Sequence, residues 1–130
     1  LEGLMKAYVG DGIAADFYRE VAAYLDPATR DLVLEVVEDL GEADFVVRTV
    51  REAIAATPSV GGRLALWGRR LVGEALSQAQ RVAAERDALS NLLIGGGFRS
   101  GGADLAEIGR MFARLTDEHI RRMERLGLSA

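Results

Sequence analysis

Glu35, Asp39 and Glu42 follow one another at spacings of four and three, so on a helix their carboxylates line one face. Asp16 lies on an earlier apolar stretch. A chain reversal at Leu25-Asp26-Pro27 brings the level of Asp39 to Glu42 opposite Asp11 to Asp16. One acid on the first arm of a helix hairpin, facing an acid-x-x-ligand pair on the second, is half of the carboxylate cage that holds two iron or manganese ions inside helix bundles. Like charges at helical spacing repel by about a few tenths of a kcal/mol per pair, so a cation belongs opposite them. The same residues also fit a plain reading, with Glu35, Glu38 and Glu42 on a solvated face and Asp11 and Asp16 bridged to Arg19 or Arg48.

The chain has no cysteine, which excludes thiol catalysis, disulfides and zinc-thiolate sites, so any metal must be held by oxygen and imidazole. The one histidine, His119, continues the apolar stripe from Leu115 toward Met123 and is expected to point inward. There it meets Gln78 or Glu74 across a fold at the glycine run, and a hydrogen-bonded structural role is expected for it. Gly95-Gly96-Gly97 lacks the preceding strand and following lysine of a phosphate loop and reads as a linker. Trp67, at helical spacing from Leu64 and Leu71, reads as packing.

Charge is uneven along the chain. Residues 1–58 hold 5 Lys/Arg against 12 Asp/Glu, and residues 59–130 hold 11 against 8. The basic half, with Arg69, Arg70, Arg81, Arg86, Arg110, Arg114, Arg121, Arg122 and Arg125, reads as solvated helix faces paired to acids, since no aromatic interleaving accompanies it.

The elements that position these groups are helices. Asp26-Pro27 offers an N-cap and a first helical proline, Thr57-Pro58 marks a break that Gly61-Gly62 prolongs, and glycines interrupt residues 95–102. Four long helices are expected, at about 3–25, 27–56, 63–94 and 103–127, with no period-two stretch for a strand. The first is apolar nearly all round, along Val9, Ile13, Phe17, Val21 and Tyr24 and along Leu4, Tyr8, Ala15 and Ala22, so neighbours should cover several sides. Leu32, Val36, Leu40, Ala43, Val47, Val50 and Ile54 form the expected core stripe of the second. At 130 residues one domain is expected, and no apolar run reaches the roughly 20 residues of a membrane span. A cytoplasmic location is compatible with the missing cysteines.

Three segments carry a family resemblance: Tyr8-Val9-Gly10-Asp11-Gly12-Ile13-Ala14-Ala15-Asp16-Phe17-Tyr18, the run from Trp67 to Gln78, and Arg110-Met111-Phe112-Ala113-Arg114-Leu115. Together they resemble an actinobacterial group of ferritin-like proteins classed beside the bacterial tRNA hydroxylase MiaE, a non-haem di-iron enzyme. The resemblance implies an all-α, ferritin-like antiparallel helix bundle. It further implies that this chain is the C-terminal part of a longer protein whose two opening helices precede Leu1. By position, Asp16 matches a carboxylate ligand of the hydroxylase bundle, and Asp39-Leu40-Gly41-Glu42 matches its second Glu-x-x-His, with Asp39 in place of glutamate and Glu42 in place of imidazole. The implied metal set is Asp16, Asp39 and Glu42, the implied cofactor iron, and the implied activity that of a di-iron oxygenase or hydroxylase. Kinship alone suggests tRNA as a partner. The alternative is a metal-free helical module for protein association, with self-association or the missing helices covering the first helix.

Overall fold

The computed structural model describes residues 1–38, 43–94 and 105–130. Among them all regular structure is helical: α1 (Glu2–Ala22), α2 (Pro27–Glu38), α3 (Ala43–Ala56), α4 (Ser59–Glu85), α5 (Asp87–Ile94) and α6 (Leu105–Arg125). The all-α expectation holds.

The Asp26-Pro27 signal works as its chemistry requires. Asp26 Oδ2 accepts the backbone N–H of Thr29 at 3.0 Å and its Oδ1 accepts the Thr29 hydroxyl at 2.6 Å, which satisfies the open start of α2. Those bonds hold the Asp26 carboxyl below the usual carboxylate range. Two boundaries differ from expectation. Gly61 and Gly62 do not prolong the break after Pro58, because α4 starts at Ser59 and carries both glycines within its first turns. The expected helix over 63–94 is two: Arg86, at φ −95° and ψ 102°, ends α4, and its carbonyl then accepts the Ser90 N–H at 2.8 Å to open α5. No glycine or proline marks that break.

The core forms around α1. Met5, Tyr8, Val9 and Ile13 of α1 pack with Val46 and Val50 of α3, Leu64 and Ala65 of α4, Met123 of α6 and Leu126 just past its end. Both apolar lines of α1 are covered, Val9, Ile13, Tyr8, Ala15 and Ala22 fully, because α2, α3, α4 and α6 all contact it. Outward on α1 lie Glu2, Gly3, Lys6, Ala7, Asp11, Ala14, Tyr18 and Arg19. On α2 the expected face is wrong: Leu32 and Val36 are 61% and 58% exposed, and Val37 turns inward. The run Leu32-Val33-Leu34-Glu35-Val36-Val37 has apolar residues for two adjacent faces, and packing on α1 selects the second.

The far end of α6 is fastened twice. Gly127, at φ +79°, lets Leu128 N–H reach the Met123 carbonyl at 3.0 Å and Gly127 N–H reach that of Glu124 at 2.9 Å, and Leu128 is then buried in the core. Arg51 of α3 donates to the carbonyl of Arg125 at 2.6 Å and to that of Glu124 at 3.4 Å.

Candidate functional site

Charged pairs run along the α1/α6 seam in opposite chain directions, Glu20 with Arg114 and Asp16 with Arg122, so the two helices are antiparallel. The Arg114 fork grips both Glu20 oxygens at 2.9 Å and also reaches Glu107 at 3.2 Å, close to solvent. The inner pair is different. Asp16 is 9% exposed and Arg122 5%. Arg122 Nη2 donates to Asp16 Oδ2 at 2.6 Å, while Arg19 Nη1, one turn along α1, donates to Oδ1 at 2.9 Å. Both carboxylate oxygens of Asp16 are therefore bonded to guanidinium. The Arg19 bridge is the one the plain reading of Asp16 named.

Gly12 makes the inner pair possible. A Cβ at that position would lie 2.2 Å from Arg122 Nε and 2.5 Å from its Cζ, so the guanidinium crosses α1 only where α1 has no side chain. From the α1 side, the Tyr8 hydroxyl points at the Arg122 carbonyl, at 3.5 Å. Burial raises the Tyr8 pKa, partly offset by Arg125 and Arg122.

His119, one turn before Arg122, is 1% exposed, so its inward direction is as expected. Its expected partners are not there. Glu74 and Gln78 both face solvent, and Glu74 is bound by Arg70 at 3.0 Å. Among the described residues both ring nitrogens of His119, and Nη1 of Arg122, are buried without a hydrogen-bond partner. Burial, with the neighbouring Arg122 charge, pushes the imidazole down to about 4, so it is neutral at physiological pH.

Asp39 and Glu42 lie outside the described residues. Glu35 and Glu38 of α2 are exposed, as is Asp11 of α1. Among the described residues no group of three or more His, Cys, Asp or Glu is placed to hold a metal ion. Part of the basic half is paired on solvated faces as expected, Arg110 with Glu107, Arg121 with Glu118, and Arg70 with Glu74 and, at 5.9 Å, with the Trp67 ring, whereas Arg122 departs from that expectation by being buried. Trp67 itself packs against the core.

Arg122 escaped the reading of composition and charge, yet a signal existed. Leu115, His119, Arg122 and Leu126 step by four, three and four, the spacing of an inward seam, so a basic residue there needs a buried acid opposite. Asp16 is that acid.

No helix among the described residues is long and apolar enough to cross a membrane. No curated protein matches the chain. The family described as ferritin-like domain, actinomycetes, matches residues 1–96, from α1 through α5, and with that match across most of its length the chain belongs to this ferritin-like family.

Proposed function

We propose that this chain is a ferritin-like helical module that acts by protein association. The observation that carries the reading is the outward side of α1. Gly3, Ala7 and Gly10 of α1, with Leu71 and Ala75 of α4, line a groove of about 560 Å³ whose rim holds Lys6, Asp11 and Glu74. Side chains this small allow another helix to approach at close range, and the neighbouring apolar atoms reward its burial. Leu32 and Val36, one turn apart on α2, add exposed apolar surface. A second copy, or helices preceding Leu1, would supply the cover.

Light scattering coupled to size exclusion tests this. The expected result is a species heavier than the 14.0 kDa monomer, returned to monomer by Ala7→Glu with Gly10→Glu. A cooperatively folded monomer at every concentration, indifferent to those changes, would refute self-association.

The second reading is the di-iron oxygenase implied by the family resemblance, with Asp16, Asp39 and Glu42 as ligands. Asp16 is buried on α1, but both its oxygens are held by Arg122 and Arg19, so this reading requires iron to displace those guanidinium groups. Iron bound in this way would supply dioxygen activation. Elemental analysis of the purified protein separates the two readings, since only the second requires iron in proportion to chain.

A further inference from the structure

The fold family raises the question of what sits against the buried carboxylate of α1, and the described residues around Asp16 do not fit a metal ion. We propose that Arg122 is the resident cation of this position. Its guanidinium locks α6 to α1 and closes Asp16 to metal.

Four observations converge on it. Each oxygen of Asp16 already accepts a guanidinium N–H, from Arg122 at 2.6 Å and from Arg19 at 2.9 Å. Among the described residues, one carboxylate between two guanidinium groups leaves a local excess of one positive charge, so a divalent ion entering there meets repulsion where a metal site needs a surplus of anions. Glu20, the next acid along α1 toward its C-terminus, is held by the Arg114 fork and gives no second carboxylate. His119, the only imidazole in the chain, shares the face of α6 with Arg122.

Arg122 is also built in. Its side chain is 7% exposed, and Gly12 provides the notch it crosses. A long side chain ordered into a notch, with its charge desolvated against one acid, has the geometry of a permanent part. A surface arginine that happens to fall on a carboxylate would be exposed and would need no notch. Arg122 lies outside the residues matched by the family, 1–96, so the locking cation comes from the segment beyond that match.

Two measurements on the whole chain test the assignment. Manganese(II) chloride titrated into the unaltered protein at neutral pH, followed by the free-ion electron paramagnetic resonance signal and by broadening of amide resonances near Asp16, should show no uptake there. Thermal unfolding should show that Arg122→Met and Asp16→Asn each lower Tm by roughly 10 °C or more, because each leaves an uncompensated or unbonded polar group buried. Asp16→Leu combined with Arg122→Met should recover most of that loss. Gly12→Ala should lower Tm while leaving both members of the pair in place. If the single variants do not fold, the manganese titration still decides. Stoichiometric manganese binding that broadens signals around Asp16 and vanishes in Asp16→Asn would overturn the proposal, as would an unchanged Tm in both Arg122→Met and Gly12→Ala.

Discussion

Gly68 of α4 and Met123 of α6 touch so closely that a Cβ on the glycine would lie 2.3 Å from Met123 Cε and 2.8 Å from its Sδ. The methionine is fully buried, and Met5 stands 3.5 Å from the same point, so the thioether has little room to yield. Gly68→Ala should therefore destabilise the protein by about 1–3 kcal/mol, the usual penalty of overpacking. Gly73→Ala, on an open stretch of the same helix with nothing within 4 Å, should stabilise it by about 0.5–1 kcal/mol through helix propensity. Urea denaturation of the two variants beside the parent checks the opposite signs.

Gly127→Ala should cost about 1–2 kcal/mol, because φ +79° is the left-handed region that a Cβ disfavours. Gly127→Asn should lose less. The readout is again a denaturation midpoint, and equal stability of all three forms would mean that the turn feeding Leu128 into the core is not fixed by this residue.

The His119 imidazole links stability to acid. Its pKa falls from 6.5 to about 4 on folding, so in the range between them the unfolded chain takes up the proton and the folded chain does not. The stability that the neutral imidazole confers is complete above pH 6.5 and is lost as pH falls toward 4, a total of roughly 3 kcal/mol. His119→Met should flatten that part of the stability curve relative to the parent. At pH 7 it should cost less than about 1.5 kcal/mol, since both ring nitrogens already lack partners. An imidazole titrating near 6.5 in the folded protein by NMR would refute the assignment.

The outer pair should matter far less than its geometry suggests. Glu20 and Arg114 are about a quarter and a half exposed, so a double-mutant cycle between them should give below about 1 kcal/mol and shrink in salt.

Much of this fold was legible because its signals are local. The Asp26-Pro27 cap needs only a carboxylate, a proline and Thr29, all within four residues. The inward direction of His119 follows from its place in one stripe. What was illegible depends on partners distant in sequence. Leu32-Val36 and Val33-Val37 are equivalent as apolar lines until α1 chooses between them. Gly61 and Gly62 are helical because Val60, Leu64 and Ala65 around them are held by the core, which outweighs the modest cost of glycine. Arg122 reads as one of several surface arginines on α6 unless its place in the seam of Leu115, His119 and Leu126 is noticed, and the notch that receives it is at Gly12, 110 positions earlier in the chain. The candidate ligands Asp39 and Glu42 fall outside the described residues, so of the three only Asp16 has a described setting.

The break at Arg86 divides more than a helix. Before it, most of α4 belongs to the large core with Met5, Val50 and Met123; past it, α5 brings Leu93 to a small separate cluster with Tyr24, flanked by Leu89, Leu92 and Ile108 and by Ala83 from the last turn of α4. A helix that ran straight through would transmit strain between the two clusters along one continuous ladder of amide bonds. Interrupted at Arg86, the smaller cluster is free to come apart and reform while the larger stays shut. Amide hydrogens of α5 and of the turn after α1 should then exchange in a faster, sub-global event, well below the free energy that protects the middle of α1 and α4.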